Sequence, residues 1–303
     1  LTLFLDVLTG NILPIALVAS LGFLLRRRFD VQLSTLTSVV FNVLSPCLVF
    51  SALVGSQLPG EELLQLAAFS AISILTIGGL ALALARLLRL GRAATAAVVI
   101  VAMFANGGNY GLTLLQLRYG DAGLSRGVVY FVTSTVIFYT LGVLIASLGR
   151  LTWRESVQRM VRVPAFYAAL LAVVVYSLRI PIPAPIMSGV TIAGQGAIPV
   201  MLLILGMQIA DMRRGETTGY VWPAVGLRLL VGPLVGVGVA AALGLSGVGR
   251  NAMIIEASMP PAVFCLILAA EFGLPTAAVA RIVVFATLLS PLTIAATITL
   301  LGL

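Results

Sequence analysis

The chain has 303 residues, 60% of them hydrophobic and only 9% charged, with a mean hydropathy of +1.15. Such values exclude a soluble globular domain and describe a polytopic membrane protein. All 18 basic residues are arginine. Without any His or Lys the chain has no means for His-based acid–base catalysis, Ser-His or Ser-Lys hydrolysis, Schiff-base chemistry, His-ligated zinc or lysine-dependent phosphate loops.

Apolar stretches of ~20 residues, enough to cross a bilayer core, predict ten spans, at residues 4–25, 34–54, 62–85, 93–117, 124–148, 164–180, 185–209, 220–243, 250–272 and 277–300. The first is followed, not preceded, by Arg26, Arg27 and Arg28, so it reads as a retained span and not as a signal peptide. With the N-terminus outside, the inner loops hold Arg26, Arg27, Arg28, Arg86, Arg89, Arg92, Arg150, Arg154, Arg159, Arg162, Arg213, Arg214 and Arg281. The outer loops hold only Arg118, Arg126, Arg179 and Arg250, so the positive-inside rule predicts both termini outside. The net charge of +8 then reads as topology and attraction to anionic lipid, with no nucleic-acid partner. Asp6, Asp30, Asp121 and Asp211 fall at span ends or in loops, so no aspartate pair shares a proton inside the membrane, and the chain reads as no enzyme. Cys47 and Cys265 lie within spans as small buried residues; no metal and no cofactor is expected.

Span two carries Asn42, Ser45 and Pro46. Span four, "VAMFANGGNYGLTLLQLRYG", is interrupted at Asn106, Gly107, Gly108 and Asn109, followed by Tyr110. Span seven carries Gln195, Pro199 and Gln208, span eight Arg228, and span nine, "EASMPPAVF", holds Glu256 and Ser258 before a break at Met259, Pro260 and Pro261. A helix interior loses about 1 kcal/mol per Gly and about 3 per Pro, and a freed backbone group facing lipid costs several more. Such breaks persist only where protein or a water-filled cavity replaces the lost partners.

Ten spans divide into two sets of five, residues 1–150 and 151–303, and an odd number per set makes the second copy an inverted repeat. A shift of 153 residues lays Pro46 on Pro199, Tyr119-Gly120 on Phe272-Gly273, and Gly107-Gly108 on Pro260-Pro261. The interrupted helices four and nine are then expected to cross at their breaks, where two half-helix N-termini, each worth roughly +0.5 elementary charge, favour an anion. Asn109 and Ser258 are expected to cap those half-helices, and Asn106 to offer amide donors. The candidate substrate-binding set is Asn106, Gly107, Gly108, Asn109, Tyr110, Ser258, Met259, Pro260, Pro261, Asn42, Ser45 and Gln195. Asn42 and Gln195, equivalent under the shift, either face the crossing from the opposite wall or bond to neighbouring helices. Arg228, as a counter-charge, and Glu256, as a proton carrier, are candidates for coupling, against the alternative that Arg228 snorkels inward and Glu256 meets water.

"NGGNYGLTLLQLRYG", "MPPAVFCLILAAEFG" and "NVLSPCLVFSAL" resemble the fourth, ninth and second spans of the auxin efflux carrier family, and the likeness covers essentially the whole chain. The resemblance implies an all-α integral membrane fold of the sodium/proton-antiporter or bile-acid-symporter type, ten helices in an inverted 5+5 repeat. It implies a scaffold domain from helices 1, 2, 6 and 7 and a transport domain from helices 3–5 and 8–10. The implied function is secondary active transport of a small organic anion, a carboxylate, across the bilayer by an elevator-type mechanism. Asn106 matches the crossing-helix Asn of that family and Pro260 its span-nine Pro. Pro261 and Cys265 stand where plant members carry Gln and Pro, and the long central loop is missing, which favours a bacterial relative in the inner (cell) membrane over an auxin carrier. A homodimer is left open, as is the coupling ion, proton or sodium. The alternatives are a membrane-embedded ligand sensor and a sodium-coupled symporter of the bile-acid type.

Overall fold

The computed structural model describes residues 2–56, 58–147, 163–211 and 219–303, together with Arg154 and Gln158. Seven of its helices are long and apolar enough to cross a membrane. They are α1 (Phe4–Arg28), α2 (Leu33–Gly55), α3 (Gly60–Leu87), α5 (Gly107–Ala146), α7 (Ala184–Asp211), α8 (Val221–Ala242) and α11 (Thr276–Leu301). Four shorter helices complete the described set: α4 (Arg92–Met103), α6 (Pro164–Ser177), α9 (Gly247–Ala257) and α10 (Phe264–Glu271). The division at residues 150 and 151 lies outside the described residues, as do Arg150, Arg159, Arg162, Arg213 and Arg214.

Local chemistry sets the helix limits. α3 starts behind Pro59 with Glu61 and Glu62 in its first turn and ends with Arg86 in its last, each charge opposing the nearer end of the helix dipole. α6 and α7 each begin with a proline at the first turn, where the missing N–H has no intrahelical role. α5 is not one straight rod. Gly120 adopts φ 59° and ψ −147°, and a Cβ placed on Gly127 would lie 2.5 Å from Cδ1 of Leu115 and 2.9 Å from Cδ2 of Leu112. Twelve residues of continuous helix span ~18 Å, so the chain folds back on itself at Gly120. The first arm of α5, with α4, covers the expected span at 93–117, and the second arm covers that at 124–148. The expected span at 250–272 is met by α9 and α10. Gly273, 153 residues after Gly120, likewise has a positive φ, 67°.

Lipid tails are as apolar as leucine, so helices in a membrane associate through close packing more than through burial. α1 and α7 show this plainly. A Cβ on Gly206 would collide with the carbonyl of Ala19, and one on Gly22 with the carbonyl of Leu203. An ion pair of Arg26 Nε with Asp211 at 2.8 Å ties the ends of the same two helices. α2 packs on α6 and α7, while α3, α4, α5, α8 and α9 pack on one another, with α11 against α8. Arg126 and Glu62 form a second ion pair, at 2.6 Å, between the starts of the second arm of α5 and of α3. Arg281, expected in a loop, instead lies inside α11 with its side chain buried.

Replacing Gly206 with leucine should force α1 and α7 apart and destabilise the fold by about 1–3 kcal/mol or more, the usual cost of overpacking. Thermal unfolding of the purified protein in detergent reads this directly; an unchanged midpoint would show that the two backbones need not touch.

Candidate functional site

Both helices are interrupted and the interruptions meet, though in span four the break falls at residues 104–106, ahead of the expected Asn106 to Asn109, because Gly107–Gly111 already forms a π-helical turn. α4 ends at Met103 and α9 at Ala257, and between each and its continuation the helical pattern stops, with Ala105 facing Pro261 in an antiparallel bridge. The N–H of Asn106 donates to the carbonyl of Pro260 at 2.7 Å, and the N–H of Ala262 donates to the carbonyl of Phe104 at 2.8 Å. Backbone groups that lost their helical partners thus find each other inside the membrane, where an unpaired one would be costly.

Arg228 completes the accounting. It sits in a π-helical turn, Leu227–Val231, and is buried. Its Nε donates to the carbonyl of Met259 at 2.7 Å, its Nη1 to that of Ala102 at 2.9 Å and its Nη2 to that of Ala257 at 3.0 Å. These carbonyls belong to the C-terminal ends of α4 and α9 and the residues just beyond. Each helix C-terminus carries roughly −0.5 elementary charge, so one guanidinium about matches two of them. Gly232 lets α8 come this close, because a Cβ there would lie 2.9 Å from the carbonyl of Ala257. Arg228 is therefore committed to the breaks and does not line the cavity beside them.

That cavity lies on the opposite polarity. The helices that restart at Gly107 and Phe264 direct their N-termini toward it, and Phe104, Ala105, Asn106, Gly108, Asn109, Ala262 and Phe264 line it. Its other walls come from α2 (Thr37, Phe41, Ser45), the second arm of α5 (Phe131, Ser134, Thr135, Phe138, Tyr139) and α7 (Met201, Ile204, Gln208). Its volume is ≈ 100 Å³, several times the roughly 10–15 Å³ that one water needs on the same measure. The wall is mainly apolar, with Phe104 edge-on to Phe138 at 4.9 Å between ring centres. Three of its polar atoms are buried and without a partner: Asn106 Nδ2, Ser45 Oγ and Gln208 Oε1. An apolar cavity with a few convergent, unsatisfied polar groups is the usual form of a small-molecule site.

Of the expected set, Asn106, Gly108, Asn109 and Ser45 line this cavity. Tyr110 is buried outside the lining, and Gly107 packs against Glu256. Met259, Pro260 and Pro261 build the crossing through their backbone and do not reach the cavity. Asn42 is exposed and donates to the carbonyl of Ser38 in its own helix at 2.9 Å, and Gln195 is exposed on α7. The expected capping is corrected. Asn109 lies inside the restarted helix, whose N-cap position is Asn106, and no side chain caps it. Ser258 donates backward to the carbonyl of Ile254 at 2.6 Å and so stays with α9, while α10 starts behind Val263. Gln208, Ser134 and Thr135 are lining residues beyond the expected set. A stripe at helical spacing, Phe131, Ser134, Thr135, Phe138 and Tyr139, was the available signal.

Arg228→Gln should leave carbonyls at both breaks unpaired. Hydrogen bonds from a charged donor contribute ~1.5–3 kcal/mol each, so a large drop in thermal stability is expected, with Arg228→Lys intermediate. A Gln variant as stable as the parent would show that the breaks hold without the guanidinium.

Comparison with known proteins agrees with this architecture. A family described as membrane transport protein matches residues 7–158 and again residues 147–298. An uncharacterised transporter of Methanothermobacter thermautotrophicus is 28% identical over 291 residues, covering 93% of this chain and 94% of that protein. An uncharacterised transporter of Methanocaldococcus jannaschii is 20% identical over 269 residues, covering 86% and 87%. A multi-pass, all-helical chain whose two halves each match the same family belongs to the membrane transport proteins of the auxin efflux carrier family.

Proposed function

We propose that the chain is a secondary active transporter of a small organic anion, a carboxylate, bound in the cavity at the crossed breaks. The observation that carries this reading is the convergence of two helix N-termini with Asn106 Nδ2 and Ser45 Oγ, buried and unpartnered, on one cavity. Both groups can donate to a carboxylate, and the helix ends favour negative charge without any arginine in the lining. Gln208 Oε1, an acceptor, suits a hydroxyl on the same solute or a bridging water. Short carboxylic acids that carry a hydroxyl offer this combination of groups.

The ten-span inverted repeat is supported by the family's double match, the reciprocal bridge and the paired glycines at 120 and 273. α1, α2, α6 and α7 form the scaffold; α3, α4, α5, α8, α9, α10 and α11 form the transport body. The cavity lies where α2, α6 and α7 face the crossing, so sliding one body past the other carries the solute across the membrane. The arginine bias supports both termini outside, in the cell membrane of a prokaryote.

Uptake of labelled mono- and dicarboxylates into proteoliposomes tests the function; no uptake of any would sink the anion reading. Asn106→Ala should weaken substrate binding roughly tenfold to a hundredfold, the equivalent of one charge-assisted hydrogen bond, without unfolding the protein. Titration calorimetry with the transported acid checks it, and unchanged affinity would remove Asn106 from the site. Cysteines at Ser45 and Asn109, in a background lacking Cys47 and Cys265, should when cross-linked stop uptake by tying α2 to the crossing. Full uptake by the cross-linked protein would rule out the sliding movement.

A further inference from the structure

Glu256 ends the last full turn of α9, is 0% exposed, and has neither carboxyl oxygen in a hydrogen bond. The space around it is kept by glycine. A Cβ on Gly107 would lie 2.5 Å from Oε2, one on Gly111 would collide with both oxygens, and one on Gly127 would lie 3.1 Å from Oε1. Gly107 and Gly111 belong to the same π-helical turn whose Gly108 and Asn109 line the anion cavity. The carboxyl and the cavity therefore occupy two faces of one turn.

We propose that Glu256 is a proton-binding site that couples proton movement to the anion, a reading that rests on the cavity's being an anion site. Among the described residues the titratable groups facing the carboxyl are Tyr130 of α5 and Arg228 of α8, and no group of α11 acts on it. Arg228 is already matched by two helix C-termini. The start of the helix at Gly107 supplies only a half-charge to an ionised carboxylate. A buried carboxylate without a counter-charge is costly, and taking up a proton from water removes that cost.

The coupling follows from Coulomb's law. An ionised Glu256 and a carboxylate in the cavity would stand a helix's width apart, roughly 10 Å, and at an effective dielectric of about 20 their repulsion weakens anion binding on the order of tenfold. By linkage the anion raises proton affinity by the same factor. Proton and anion then move together.

Infrared difference spectra of the purified full chain, recorded through a pH titration without substrate, read the carboxyl directly. A titrating band of a buried, protonated carboxyl that Glu256→Gln removes is expected; its absence from the parent protein overturns the proposal. Gly111→Ala, whose methyl takes the carboxyl's place, should shift the midpoint of that band, and an unmoved midpoint counts against the cradle even if the Gln variant fails to fold. Loss of the band on exchanging choline chloride for sodium chloride at fixed pH would assign the site to sodium and overturn the proton. In proteoliposomes, an inward proton gradient should raise uptake of labelled malate on the order of tenfold in the parent and not in Glu256→Gln. Malate uptake indifferent to the gradient overturns the coupling. Absence of uptake of every carboxylate overturns the anion site and the coupling with it, while the infrared titration still decides whether Glu256 binds the proton.

Discussion

The grip of one arginine on two broken helices is the interaction from which the rest of the structure follows. A helix stopped in the middle of a membrane leaves carbonyls with no partner and a negative end with no water around it. Arg228 answers both needs at once, spending three N–H donors on Met259, Ala102 and Ala257 and one charge on two dipole ends. The π-helical turn at Leu227–Val231 and the absence of a side chain at Gly232 bring the guanidinium within reach. Removing the cation would leave that negative region unpaired.

With the C-terminal ends fixed by a cation, the N-terminal ends are free to face a cavity. The crossing thereby sorts its electrostatics by direction: a fixed positive charge at the two closing helix ends, and open amide ends at the two that restart. The extended bridge between Ala105 and Pro261 holds the four ends in register through two backbone hydrogen bonds. Prolines at 260 and 261 suit this place because they have no N–H to satisfy, and their carbonyl side still pairs, through Pro260, with Asn106.

Glycine does the corresponding work of closeness. At Gly22 and Gly206 it lets α1 and α7 touch backbone to backbone, and at Gly107, Gly111 and Gly127 it leaves room for a carboxyl where any side chain would fill the space. In both cases the missing Cβ matters more than backbone freedom, whereas at Gly120 and Gly273 a positive φ turns the chain at a helix end. A rigid crossing and tightly joined α1 and α7 leave the apolar contact around the cavity as the surface at which the proposed movement occurs.

Membrane class and the presence of a break in each of the two helices were legible in the sequence, because hydropathy over ~20 residues and the cost of Gly and Pro in a helix are local properties. That the two breaks meet was legible too, through the 153-residue shift, although the contact is made by Phe104 to Asn106 with Pro260 to Ala262 and not by Gly107 to Asn109. The direction in which each helix faces was not. A helix apolar all round carries little amphipathic pattern to fix its rotation. Hence Asn42 and Gln195, plausible as lining residues, turn outward, while Gln208 turns in. Ser258 bonds backward and Arg228 meets carbonyls more than a hundred residues away in one case and about thirty in the others. Those choices depend on which neighbour packs against which face, and only the tertiary structure decides that.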